Sequence, residues 1–386
     1  MKIVFVGGGT GGHFYPLIAV AEEIERYARE HQLVQPKKYY LGPKHYDEKA
    51  LYDAGVKFVY CPAGKLRRTK DIVSRIKNFF SLFSIFFGAL KAVFTLFVIF
   101  PDVVFSKGGY TSFPVLFAAR LLRVPVVIHD SDSTLGRVSR WSASFAMHIA
   151  ISYPEAENDL TEKQQEKAAL IGIPLRRQLR YNPNPEAYTL LKLDPDIKTV
   201  AVLGGSSGAE FLNENVLDAL PIMLQKYQVV HQVGKKLFDD VKKESESFLR
   251  TLSDLYAYHP FPFLNAYYMR ALYSVADVII TRAGSGTLYE IAEWGVPAIV
   301  VPIREEVSHD QKRNAYAYAR SAGGIVVEEQ NLSPHLLVSQ VDTILRDEKM
   351  SSAMRQKAKA FSSPKASEKV AKLLVDILKS HETYSS

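Results

Sequence analysis

The chain opens on a short unbroken apolar run, Ile3-Val4-Phe5-Val6, then Gly7-Gly8-Gly9-Thr10-Gly11-Gly12, then apolar Leu17, Val20, Ala21 and Ile24 at helical spacing. A strand buried on both faces needs such a run, so this reads as central parallel strand, glycine loop and helix. The same order returns in the second half, where Val200 to Leu203 leads into Gly204-Gly205-Ser206-Ser207-Gly208-Ala209 and another helix. Further strands are expected at Lys38 to Leu41, Phe58 to Cys61, Val103 to Ser106 and Val126 to Asp130. The second half adds Val229 to Val233, Val278 to Thr281, Ala298 to Val301 and Gly324 to Val327. Strands alternating with helices predict an α/β chain of two doubly wound, Rossmann-like domains facing a cleft. The joint is expected near Gly172-Ile173-Pro174, giving domains 1–174 and 175–363, with a last helix in 364–386 packed back on the first.

One stretch breaks this rhythm. From Asn78 to Pro101 the only charge is Lys91. About 20 apolar residues suffice to span a bilayer. Topology argues against a span, because Val103 to Ser106 must join the same sheet as Ile3 to Val6. Instead Phe79, Phe80, Phe83, Phe87, Leu90 and Phe94 share one helical face, and Leu82, Ile85 and Ala89 the other. A helix apolar on both faces needs two apolar neighbours, here the core and lipid. Lys65, Arg67, Arg68, Lys70, Arg75 and Lys77 lie just before it, opposed by Asp71 alone. Near anionic lipid each would add about 1 kcal/mol of attraction. A buried helix beside a solvated basic loop is the alternative.

Composition narrows the class. With 386 residues, 47% apolar and 23% charged, the chain can bury two cores and is not disordered. A single cysteine, Cys61, excludes an internal disulfide and a cysteine-based metal centre. The net charge of +7 allows an anionic partner without choosing one. The first apolar run is too short for a secretory signal, so a cytoplasmic location is expected.

Gly7, Gly9 and Gly12 fit the dinucleotide fingerprint, in which glycine admits a phosphate close to the backbone at a helix N-terminus. A nicotinamide enzyme would also end its second strand on an acid. Here that strand ends Tyr40-Leu41-Gly42-Pro43, which weakens an oxidoreductase reading. His13 begins the following helix, where the dipole disfavours imidazolium; position alone leaves both a general base and a helix cap open. A third strand–loop–helix junction is Arg282-Ala283-Gly284-Ser285-Gly286-Thr287. Glu290 stands three residues after Thr287, so a capping box and a ribose-binding carboxylate are both open. Gln311 and Asn314 share a helical face, either ligand-binding or simply exposed. Asp130-Ser131-Asp132 and Asp194-Pro195-Asp196 have a spacing that can hold a divalent ion, but the second reads as a turn, and no metal is assigned.

In order, the motifs are Gly8-Gly9-Thr10-Gly11-Gly12-His13 with Pro16, Lys107-Gly108-Gly109-Tyr110, Gly172-Ile173-Pro174-Leu175-Arg176 and Gly204-Gly205-Ser206. Arg282-Ala283-Gly284 with Glu290, and Asp310-Gln311 with Asn314-Ala315, complete the set. Together they resemble the MurG family, which adds N-acetylglucosamine to lipid I on the inner face of the bacterial membrane. The resemblance implies a GT-B fold and an inverting hexosyltransferase without metal or cofactor. Its partners would be UDP-N-acetylglucosamine, the undecaprenyl-linked lipid I and anionic inner-membrane lipids, with no nucleic acid. It makes His13 the candidate base and places Glu290 in the catalytic set, holding the ribose. It would put Thr10, Gly11, Gly12, Asp132, Arg176, Ser206, the Leu264 backbone, Ser285, Gly286, Thr287, Gln311 and Asn314 on the donor. Gly108, Gly109 and Tyr110 would face the acceptor phosphates, and Phe79, Phe80, Phe83 and Phe87 the membrane. Three places depart from the family: Asp132 replaces an asparagine, Ser207 a glutamine, and Ile173 the asparagine before proline. A UDP-N-acetylglucosamine 2-epimerase, a diacylglycerol glucosyltransferase and an idle nucleotide-sugar binder are the rival readings.

Overall fold

The structure, a computed structural model, describes residues 1–67, 71–204, 209–249, 257–305 and 309–383. Ser206, Arg68 and Lys70 lie outside the described residues. The chain forms two compact units, residues 1–176 with 363–386, and residues 177–362.

The first unit is built on seven parallel strands: β1 (Lys2–Val6), β2 (Lys37–Gly42), β3 (Val56–Tyr60), β4 (Val103–Ser106), β5 (Val126–His129), β6 (His148–Ile151) and β7 (Ala168–Leu170), in the order β3-β2-β1-β4-β5-β6-β7. Successive side chains of a strand face opposite ways, and here both faces are covered. Ile3, Phe5, Val103 and Phe105 pack under the helices Gly11–Glu30 and Ala366–Thr383. Val4, Val6 and Val104 pack on the other side with Ala92, Leu96, Val115 and Leu116. The C-terminal helix completes the first core through Val370, Leu374 and Leu378.

The second unit carries β8 (Thr199–Leu203), β9 (Gln228–Gln232), β10 (Tyr258–Phe261), β11 (Ala276–Thr281), β12 (Ala298–Val300) and β13 (Ile325–Val326), parallel in the order β10-β9-β8-β11-β12-β13. Val200, Val202, Val278 and Ile280 face one layer, Ala201, Leu203 and Ile279 the other. In each unit the winding reverses beside the first strand, between β1 and β4 and between β8 and β11. Ligands of doubly wound sheets bind at the carboxyl ends of strands at such switch points.

β6, β7 and β10 were not expected from the sequence. β7 has three residues, two of them exposed, and β10 contains Pro260, tolerated because β10 is an edge strand paired only with β9.

The long apolar stretch is one helix, Ile72–Ile99, with Asp71 accepting from the Ser74 N–H at its start. It is long and apolar enough to cross a membrane. The chain nevertheless enters it from β3 and leaves it for β4, strands of one sheet. The preceding basic loop is strapped along it. Asn78 accepts from Arg67 N–H and donates to Arg67 C=O, and Ser81 Oγ donates to Lys65 C=O at 3.1 Å. Gly88 permits the contact, since a Cβ there would lie 2.0 Å from the Pro62 carbonyl oxygen. The expected division of faces needs correction. Leu82, Ile85 and Ala89 do not enter the core; only Ser74, Gly88, Ala92 and Leu96 are buried. The helix docks through small residues that admit close backbone approach. Leu82, Ile85 and Ala89 instead line an apolar groove of about 600 Å³ with Phe113, Phe117 and Leu121. Phe79, Phe80, Phe83 and Phe87 are 49–64% exposed.

Candidate active site

In the first unit the glycine loop leaves β1 and turns into the helix Gly11–Glu30, with Thr10 as its N-cap. Tyr40 Oη donates to the Gly7 carbonyl at 2.9 Å, and Thr111 Oγ1 to the Gly8 carbonyl at 3.4 Å. The loop is thereby tied to β2 and to the segment after β4. Thr10 and Gly12 are exposed and Gly11 partly so, leaving the backbone at the helix start open to a ligand.

His13 stands in the first turn of that helix. Its Nδ1 is buried and has no hydrogen-bond partner among the described residues. The ring lies against Gly109, where a Cβ would come within 3.3 Å of His13 Cδ2. Gly108 and Gly109 have φ of +69° and +77°, a left-handed turn glycine adopts without strain. That turn brings the Gly108–Tyr110 loop against the histidine. Ser106 Oγ accepts from Gly108 N–H at 3.1 Å, and Ser112 Oγ donates to Gly108 C=O at 2.6 Å. Burial holds the imidazole below its usual pKa; Asp132 and, more weakly, Asp130 pull it up, while Lys107 pushes it down. The histidine is thus neutral at pH 7, as a base must be.

Asp130 is buried, and its two oxygens accept from the backbone N–H groups of Asp132 at 3.2 Å and Gly136 at 3.0 Å. It shapes the loop that carries Asp132, which is half-buried. Arg176, at the end of the first unit's main segment, stacks its guanidinium 3.9 Å from the Tyr15 ring centroid; Tyr15 Oη donates to Asp47 at 3.2 Å.

In the second unit Gly284 is the N-cap of the helix Ser285–Trp294. Of the two readings open for Thr287 and Glu290, that excludes the capping box. The helix starts two residues before Thr287, so Thr287 is itself inside the first turn and Glu290 sits a turn further along. Glu290 instead accepts from Tyr273 Oη at 2.8 Å. Ser285 is buried, Gly286 and Thr287 are partly exposed, and a Cβ on Gly286 would meet nothing within 4 Å. Among the described residues nothing crowds the backbone at Gly286. Leu264 is buried with its N–H donated to Gln232 Oε1 at 3.2 Å. Gln311 Oε1 accepts from Ile303 N–H at 3.3 Å, and Asn314 is buried, so the simply exposed polar face does not hold.

Two networks escaped the sequence reading. Arg282, buried at the end of β11, binds Glu329 at 2.7 Å and the Val301 carbonyl at 3.3 Å, while Arg304 takes the other Glu329 oxygen at 3.3 Å. Lys107, 1% exposed, reaches His129 Nδ1 and Ser131 Oγ. Their members are far apart in the chain, and only a buried charge at a strand end hinted at either.

Two Rossmann-like domains with glycine-rich loops and helix starts at their switch points form the architecture of GT-B glycosyltransferases. The N-terminal domain of glycosyltransferase family 28 matches residues 3–151 and its C-terminal domain residues 199–370. A Treponema denticola protein named UDP-N-acetylglucosamine–N-acetylmuramyl-(pentapeptide) pyrophosphoryl-undecaprenol N-acetylglucosamine transferase is 32% identical over 99% of this chain and 98% of its own. A Halothermothrix orenii protein of the same name is 31% identical over 98% of this chain and 100% of its own. The crystal structure of Acinetobacter baumannii MurG superposes with a TM-score of 0.71 at 24% identity, covering 97% of this chain and 99% of that one. A Neisseria meningitidis UDP-GlcNAc 2-epimerase shares the fold, with a TM-score of 0.66 at 14% identity over 97% of this chain and 100% of that one. The chain belongs to glycosyltransferase family 28 and, within it, to the MurG family.

Proposed function

We propose that this enzyme moves N-acetylglucosamine from UDP-N-acetylglucosamine to the C4 hydroxyl of the muramoyl sugar of lipid I, forming lipid II. The observation that carries the reading is a single arrangement in the first unit. A neutral histidine at a helix start faces a glycine loop, and that loop runs into the helix Phe113–Leu121, beside an exposed aromatic helix. A base, a place for phosphate and a surface for lipid suit an acceptor that is a sugar on a polyprenyl diphosphate. The names of the full-length relatives point the same way.

In this reading His13 takes the hydroxyl proton as the C4 oxygen bonds to C1 of the donor sugar. The bond from C1 to the diphosphate oxygen breaks, and its electron pair leaves on UDP with inversion at C1. Arg176, Ser206 and the helix start at Ser285, Gly286 and Thr287 meet the developing charge on the diphosphate. Glu290, held by Tyr273, takes the ribose hydroxyls. Gln311 and Asn314 take the sugar, and Thr10, Gly11, Gly12 and Asp132 are the further donor-binding residues that the family resemblance assigns. Because the Leu264 N–H is already bonded to Gln232, its carbonyl is the group left for uracil. Gly108, Gly109 and Tyr110 take the acceptor phosphates. Phe79, Phe80, Phe83 and Phe87, with the basic loop before them, hold the enzyme peripherally on anionic lipid at the cytoplasmic face of the membrane.

The test is product analysis with UDP-N-acetylglucosamine alone, with lipid I in vesicles, and with diacylglycerol. Disaccharide-bearing lipid formed only with lipid I supports the assignment. Epimerised donor in the absence of acceptor, or transfer to diacylglycerol alone, would replace it with one of the rival activities.

A further inference from the structure

A fully buried lysine is costly unless its charge is matched, and Lys107 is buried at 1% exposure beneath the first unit's site. It follows β4 directly, two residues before Gly109, on which His13 rests. Its partners can be assigned donor by donor. His129 Nε2 lies 2.8 Å from the Gly172 carbonyl, which can only accept, so Nε2 carries the proton. His129 Nδ1 is then bare and accepts from Lys107, as does Ser131 Oγ at 2.5 Å. Burial and the nearby ammonium both hold His129 well below its usual pKa, in keeping with this neutral tautomer.

Lys107 therefore grips the loop after β5 at Ser131, between Asp130 and Asp132. Asp130 already caps the backbone of that loop, whereas Asp132 is the acid that acts most strongly on His13. A carboxylate beside a reaction that builds negative charge on a diphosphate calls for a compensating positive charge.

We propose that Lys107 is a positioning residue for the base: held on Ser131 and His129, its ammonium balances the Asp132 carboxylate and sets how readily His13 takes the acceptor proton. The inference rests on His13 acting in the proposed transfer. The charged groups facing His13 are Asp130 and Asp132 from the loop after β5 and Lys107 from the end of β4. Burial brings Lys107 down to about 7, against the pull of both aspartates. Below that value it is charged, so its positive charge is in place over the acidic range in which His13 titrates.

The experiment follows the His13 ring resonances of the full-length enzyme by NMR across pH, assigned with His13→Asn. Removing the ammonium in Lys107→Met raises the His13 midpoint by about one pH unit, and removing the carboxylate in Asp132→Asn lowers it by a similar amount. The acid limb of kcat/KM for acceptor moves the same way in each variant, while Lys107→Met changes the dissociation constant for UDP-N-acetylglucosamine by less than about twofold. Lys107→Arg keeps the charge and returns the midpoint toward the original. A folded Lys107→Met enzyme with an unmoved His13 midpoint overturns the proposal. If Lys107→Met does not fold, an unmoved midpoint in Asp132→Asn overturns it instead. The resonance readout does not depend on turnover. Midpoints that shift as stated in an enzyme inactive on lipid I would uphold the charge pair and remove the assigned reaction.

Discussion

At the residue scale the proposed chemistry turns on keeping one imidazole neutral yet able to accept a proton. The helix start and burial lower the affinity of His13 for protons, and Asp132 restores part of it. Because the pKa lies below its usual 6.5, the active neutral form persists as pH falls through 6.5 and is lost only further down. A pH–rate profile should place the acid limb of kcat/KM below 6.5 accordingly. His13→Ala should lower kcat about 10²- to 10⁴-fold, the usual contribution of a general base, with calorimetric donor affinity nearly unchanged. An equal loss of both would make His13 a binding residue. On the donor side, Tyr273 fixes one oxygen of Glu290. A hydrogen bond to a charged group contributes roughly 1.5–3 kcal/mol, so Tyr273→Phe should raise donor KM about tenfold while kcat moves little. His13 and Glu290 could be singled out in the sequence because each follows a glycine loop, and Gln311 because it belongs to the motif Asp310-Gln311 with Asn314-Ala315. Lys107 as a network member could not, because its partners His129 and Ser131, and the Gly172 carbonyl that holds His129, meet only once β4, β5 and the end of the first unit are folded together.

At the scale of elements, periodicity exposed the strands that are buried on both faces, because those must be apolar at every position. It failed for β7 and β10, whose exposed or proline-bearing residues carry no such run, and for β6, which is buried but whose apolar run after His148 is only three residues long. The aromatic helix shows a subtler limit. Its apolar content was evident, but which stripe enters the core was not, because close packing selected Gly88, Ala92 and Leu96 over the larger side chains. That choice leaves the phenylalanines outward, beside Lys65 and Arg67 on the strapped loop. Burying one such ring is worth roughly 1.5–3 kcal/mol, so Phe83→Asp with Phe87→Asp should weaken binding to anionic vesicles by at least about tenfold. Donor affinity should stay the same, since both residues lie in the first unit. Raised salt should weaken vesicle binding further through the basic loop. Undiminished sedimentation of the double variant with vesicles would move the membrane contact elsewhere.

At the scale of the whole molecule, the two units have separate cores, and the chain returns at residue 363 to finish the first with its last helix. The sequence itself predicts a last helix in 364–386 packed back on the first domain; what it does not contain is the apolar layer on the β1 side that Val370, Leu374 and Leu378 fill. Separate cores predict separable stabilities. Leu374 is fully buried, and truncating such a leucine typically costs about 2–5 kcal/mol. Leu374→Ala should therefore lower the melting of the first unit and leave the second where it was. A donor held chiefly by the second unit should do the opposite, adding about 2.7 kcal/mol at a hundredfold excess over Kd. Differential scanning calorimetry of the enzyme and the variant, each with and without UDP-N-acetylglucosamine, reads both effects. Two transitions responding separately are expected. A single transition moved by both would mean that the units unfold as one, and that the last helix stabilises the whole chain.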